Sequence, residues 1–166
     1  MQVSTEIFYP TASPEQVFAM GTDSTFRAAV CEATRAKNYD VNITPHEDGR
    51  ASVMVRRTLP ADLPSVARRI LGETVNVVQR EEWSVATTTG ARTADLVISI
   101  SGQPVQMVGS VVLEPAGDGV RMRIRGDVKV SIPFVGATIE GVVAKAIVAA
   151  ADKEQQTGRR WLSERT

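Results

Sequence analysis

Arg57, Gln79, Glu81 and Glu154 are polar residues standing at positions where the surrounding pattern asks for apolar ones. From Thr74 to Thr87, Val75, Val77, Trp83 and Val85 share one phase of a two-residue alternation, and Gln79 and Glu81 fall on that phase. Arg57 shares the phase of Val53 and Val55. Glu154 lies four residues beyond Ala150 and seven beyond Ile147, close to the centre of an apolar helical stripe. A carboxylate turned into a core must find a cation or a hydrogen-bond donor, or else hold a proton. Two chemistries follow. Glu81 and Arg57, with Glu154, can anchor the headgroup of a buried ligand, or Glu81 or Glu154 can donate a proton to it. The structural alternative is that these groups pair with one another or reach water at a rim. A bulge that shifts the strand by one residue would turn Glu81 outward. Trp83 reads as a core anchor or as a stacking platform for the same ligand.

No other constellation competes. His46 is the single histidine and precedes Glu47-Asp48-Gly49, a hairpin turn by composition. Cys31 is the single cysteine and sits near Ala29, Val30 and Ala33, where a small buried role suits it. One histidine and one cysteine do not make a usual zinc site, so no metal is expected. Neither a Ser-His-Asp order nor a phosphate or dinucleotide loop is present, so no catalytic residue and no cofactor are assigned. Lys plus Arg and Asp plus Glu number 19 each, which argues against a nucleic-acid partner. With 43% hydrophobic residues, residues 1–166 read as a single domain. There is no signal-like start, and the most apolar run, Val142 to Ala151, contains Lys145 and is too short to span a bilayer. A cytoplasmic protein without a transmembrane segment is expected, with transient membrane contact left open and no oligomeric state legible.

The elements that must position these residues are mostly strands. Gln2 to Tyr9 opens as one and stops at Pro10. Ser13-Pro14-Glu15-Gln16 is a capping box with proline at the first helical position, and Asp23-Ser24 starts a second short helix with Phe26, Val30 and Ala33 inward. Tyr39 to Ile132 alternates in further strands punctuated at Gly49, Gly90, Gly102 and Gly117-Asp118-Gly119. The clearest runs from Val120 to Ile132, with Met122, Ile124, Val128 and Val130 on one side and Arg121, Arg123, Arg125 and Lys129 on the other. Such alternation marks an antiparallel sheet with one wet face. Leu59 to Gly72 interrupts the series with Pro60 and Pro64; Ser65 is placed to cap a short helix with Val66, Ile70 and Leu71 on one side and Arg68 and Arg69 on the other. That segment is a lid over a cavity or a packed connector. After Pro133, Ile139, Val142, Val143, Ala146, Ile147 and Ala150 mark a long helix reaching about Leu162. Gly136 is expected to take a left-handed backbone angle at the corner before it, and Trp161 to pack the last turn onto the sheet.

This order is α+β: a strand, two short helices, further strands to a total of about seven, and a long C-terminal helix. It resembles the START-like (SRPBCC, helix-grip) superfamily of polyketide cyclases and lipid-transfer domains. Leu59-Pro60-Ala61-Asp62-Leu63-Pro64, Glu81-Glu82-Trp83, Gly102-Gln103-Pro104-Val105, Ile132-Pro133-Phe134-Val135-Gly136 with Glu140, and Trp161-Leu162 are similar to an actinobacterial START-like family catalogued as a domain of unknown function. The resemblance implies a curled antiparallel sheet gripping the terminal helix and brings no catalytic residue with it.

It also implies a cavity between sheet and helix, on the scale of ~300–1,000 Å³ for a ligand pocket. The inward strand phases then supply Val53, Val55, Val77, Leu96, Ile98, Met107, Val111, Met122 and Ile124, and the helix supplies Ile139, Val143 and Ile147. Gly109 and Gly126 lie on the same phases and are expected to leave room. The alternative is that these side chains interdigitate into a closed core. Binding or carriage of a small hydrophobic molecule, lipid or polyketide-like, is the leading functional expectation. A cyclase or dehydratase using an inward carboxylate, and a protein-interaction module with a filled core, are the others.

Overall fold

The computed structural model describes residues 1–165 of the chain. Strand β1 (Gln2–Pro10) is followed by helices α1 (Pro14–Gly21) and α2 (Ser24–Ala33), then β2 (Asn38–Pro45) and β3 (Ala51–Pro60). Helix α3 (Ser65–Leu71) separates these from β4 (Thr74–Trp83), β5 (Arg92–Ile100), β6 (Val105–Ala116) and β7 (Gly119–Val130), and α4 (Gly136–Glu164) closes the chain. The strands form one antiparallel sheet in the order β1-β7-β6-β5-β4-β3-β2. The link α1–α2 therefore carries the chain from one edge strand to the other.

Local chemistry sets the helix starts. The Ser13 hydroxyl accepts from the Gln16 amide at 3.2 Å while the Gln16 side chain accepts from the Ser13 amide at 2.8 Å. Asp23 caps α2 by accepting from the Thr25 amide at 2.8 Å. Such caps satisfy donors that the helix itself leaves unpaired and contribute about 0.5–2 kcal/mol each. The buried face of α2 runs through Phe26, Arg27, Val30 and Cys31, so a cation shares it.

Several expectations need correction. Strand β4 stops at Trp83 because Ser84 onward turns back through a Thr87–Ala91 hydrogen bond, leaving Val85 exposed. Pro64, not Ser65, occupies the cap position of α3, and no side chain caps it. The buried residues of α3 are Ala67 and Leu71, with Val66 at the surface. Gly136 does not take a left-handed angle. That conformation falls on Phe134 (φ 69°), whose ring stands fully in solvent; a bulky residue there is a true outlier. Gly136 is small for another reason: a Cβ would sit 2.7 Å from the Val130 carbonyl oxygen. Trp161 packs edge-on against Phe26 of α2 at 5.5 Å.

Gly109 and Gly126 are cross-strand partners. A Cβ on Gly109 would collide with the β7 backbone, and one on Gly126 with the Met107 side chain. These glycines permit a close approach of β6 and β7, and Met107 fills the space above them instead of leaving it empty.

Helix α4 lies along β1, β7 and α2. Ile139 is fully buried at its start, and Gly158 is buried near its end, where the Tyr9 ring packs onto the helix backbone. No described helix is long and apolar enough to cross a membrane.

Candidate functional site

Four donors converge on the buried carboxylate of Glu81. Arg27 Nη1 and Nη2 approach its two oxygens at 3.1 and 2.6 Å, Gln79 Nε2 at 2.8 Å and Trp83 Nε1 at 2.9 Å. Arg27 Nε in turn donates to the Gly21 carbonyl at 2.7 Å. Both partners are nearly inaccessible, 5% exposed for Arg27 and 4% for Glu81. Burial alone would push the Glu81 carboxyl upward; the Arg27 charge and the converging donors outweigh it and hold the group below its ordinary value. Glu81 does point inward, and its partner is Arg27 rather than Arg57. That Arg27 faces inward was legible in the sequence, since it precedes Val30 and Cys31 by three and four residues on α2; that it meets Glu81 was not.

With Glu81 satisfied, Arg57 and Glu154 stand apart. Arg57 Nη2 reaches the Gln79 side-chain oxygen at a long 3.4 Å, the Cys31 thiol lies beside the guanidinium, and its buried Nε has no hydrogen-bond partner among the described residues. Among the described residues, nothing donates a hydrogen bond to the Glu154 carboxyl; only the Glu154 backbone oxygen is engaged, by the Tyr9 hydroxyl at 3.4 Å. Burial, reinforced by the negative charge of Glu81, pushes the Glu154 carboxyl above its ordinary value against the pull of Arg27 and Arg57. The Cys31 thiol is raised by burial, with the Arg57 guanidinium opposing the shift.

Both residues border a cavity of about 160 Å³ between α4 and the concave face of the sheet. Of the positions named from the sequence, Arg57, Val77, Gln79, Glu81, Leu96, Ile98, Met107, Val111, Met122, Ile124, Val143, Ile147 and Glu154 line it. Val53, Val55, Trp83 and Ile139 do not. Val53 and Val55 belong to the closed core at the β2–β3 end of the sheet. Ile139 is sealed at the start of α4. Trp83 is a core anchor, its ring edge-on to Phe18 at 5.9 Å and its N–H spent on Glu81. Further walls come from Val30 of α2, Leu59, Val75, Ile100 and Val105 of the strands, and Ala146 and Ala150 of α4. Leu63 and Leu71 bracket α3 and also face the cavity. Leu63 precedes the helix and Leu71 ends it, with the buried Ala67 between them.

The volume is below the range expected for a ligand pocket and close to that of apolar cavities of ~150 Å³ that admit benzene. Its chemistry is apolar walls with one polar end. Glu140 lies elsewhere and accepts from the Val130 amide at 3.1 Å, a structural role. No group of three or more His, Cys, Asp or Glu among the described residues is arranged to hold a metal ion.

A family model described as "Protein of unknown function (DUF2505)" matches residues 5–162. An uncharacterised protein of Mycobacterium tuberculosis is 26% identical over 120 residues, which is 70% of this chain and 68% of the relative. Among solved structures, a START superfamily protein from Mycobacterium smegmatis superposes with a TM-score of 0.56 at 15% identity, covering 99% of both chains. A STAR-related lipid transfer protein from Xanthomonas axonopodis superposes with a TM-score of 0.58 at 16% identity, covering 96% of this chain and 84% of the other. The fold is therefore that of the START superfamily, a curled seven-stranded sheet around a long C-terminal helix.

Proposed function

We infer that this chain, which belongs to the DUF2505 family, binds and carries a small hydrophobic molecule in the cavity between its sheet and α4. One observation carries this reading: the cavity ends in two polar side chains, Arg57 and Glu154, that have no adequate protein partner. A core built only for stability would close over such a space. At roughly 24 cal/mol per Å³, leaving this volume empty forgoes on the order of 4 kcal/mol. Groups left unpaired at its end add to that cost. A hydrophobic guest with a polar end offsets both. The same observations weigh against an interaction module with a filled core. Likeness in fold to a STAR-related lipid transfer protein is consistent with carriage.

Helix α3 is suited to act as a movable wall. It is seven residues long, lacks a side-chain cap, and contributes Leu71, with Leu63 just before it, to the cavity. Its opening would admit a guest longer than the closed cavity holds.

The unpartnered carboxyl of Glu154 favours one second reading, an enzyme that shapes a reactive chain and protonates it from Glu154. The two readings separate by fate: a carried molecule is released unchanged, whereas turnover would be lost in Glu154→Gln. The test of carriage is a thermal-shift screen of the purified chain against small hydrophobic compounds. Carriage requires that some of them raise the melting temperature and that Ile147→Phe, which fills the cavity, abolishes the shift.

A further inference from the structure

We propose that the molecule held in this cavity carries a carboxylate, received by the free Nε edge of Arg57 and by Glu154 acting as a hydrogen-bond donor. The proposal rests on the carriage reading above and names the chemical class of the guest.

Charge accounting around the polar end points this way. Two cations face it, Arg27 from α2 and Arg57 from β3, along with two carboxyls, Glu81 from β4 and Glu154 from α4; the Tyr9 hydroxyl approaches from β1. The Arg27 charge is neutralised by Glu81 through a bidentate pair. No ion pair joins the Arg57 charge to Glu154 among the described residues; its side-chain contacts are with the neutral Gln79 amide and the Cys31 thiol, whose titration burial raises. Burial raises the Glu154 carboxyl above its ordinary value, which weakens it as a counter-charge for Arg57. A half-buried guanidinium without an ion pair thus stands beside an apolar cavity, its Nε shielded from solvent, and an anion joining it there would offset that cost.

Geometry selects the anion. The Nε–Nη2 edge of a guanidinium presents two parallel N–H groups matched to the two oxygens of a carboxylate. On Arg57 the Nε is vacant and the Nη2 contact is long, so that edge is available. A neutral Glu154 carboxyl has an O–H to donate to the same group. The apolar remainder of the guest lies against Ile98, Met107, Val143 and Ile147.

The experiment is isothermal titration of the full chain with octanoate and with 1-octanol, which share a tail and differ in headgroup. Octanoate is expected to bind at least roughly tenfold more tightly, the scale of a charge-assisted hydrogen bond. Arg57→Met should bind 1-octanol as the parent does and lose the preference for octanoate. In the parent, octanoate affinity should weaken as pH rises and Glu154 ionises, and Glu154→Gln should flatten that dependence. Octanol binding as tightly as octanoate to the parent would overturn the carboxylate while leaving carriage intact. This comparison stands whether or not Arg57→Met folds. A preference that survives in Arg57→Met would overturn the role of Arg57. Binding of neither probe would count against carriage itself.

Discussion

Arg27 on α2 and Glu81 on β4 form a bidentate pair, Nη2 to Oε2 at 2.6 Å, inside the layer between helices and sheet. The pair joins elements 54 residues apart in sequence. Removing either partner strands the other charge in the core.

Arg27→Met and Glu81→Gln are each expected to lower stability by about 3–5 kcal/mol, as breaking one side of a buried pair does. The double variant should cost less than the sum of the two. Urea unfolding of the four-member cycle checks this; strictly additive losses would mean that the pair acts as two independent side chains.

The Glu81 and Glu154 carboxyls give opposite pH dependences. Glu81 is depressed in the folded chain, so its contribution is present above the unfolded value of about 4.3 and is lost as pH falls through the folded value. Glu154 is raised, so its contribution is present below the unfolded value and is lost as pH rises through the folded one. Glu154→Gln should therefore raise the melting temperature at pH 8 relative to the parent and change it little near pH 4. Equal effects at both pH values would show that Glu154 does not titrate abnormally.

Gly158→Ala should destabilise by about 1–3 kcal/mol, the scale of overpacking. This is so even though alanine is about 1 kcal/mol the better helix former. An added Cβ meets the Tyr9 ring, whose Cε1 atom would lie 2.5 Å away. Thermal unfolding decides it, and a gain in stability would mean that Tyr9 moves aside freely.

Much of this architecture was legible because two-residue alternation survives along β7, where Met122, Ile124 and Val128 are buried opposite Arg121, Arg123 and Lys129. The caps at Ser13 and Asp23 were equally plain, since capping is local. What escaped notice depends on distant contacts or on short elements. The partner of Glu81 is set by how α2 lies on β4, which no local pattern encodes. Helix α3 has seven residues, too few for periodicity alone to choose between a Val66–Ile70 face and the Ala67–Leu71 face that is buried. The corner before α4 offered a glycine as the natural left-handed residue, but that angle falls on Phe134, and Gly136 is small because of its close approach to Val130. At the site, inward phases found most of the cavity wall, but the split between core and cavity depends on where α4 stands off the sheet.

Ile147→Phe should keep the fold and leave the melting temperature of the ligand-free chain unchanged or higher, because the ring enters a pre-existing cavity. A substantial drop would show that this part of the cavity wall is already tightly packed.

The most direct measurement is native mass spectrometry of the purified chain, before and after incubation with a panel of small hydrophobic acids and alcohols, with organic extraction of whatever is released. Carriage predicts a discrete added mass that matches an extracted, chemically unchanged compound and that is absent in Ile147→Phe. A bare polypeptide mass under every condition would contradict it.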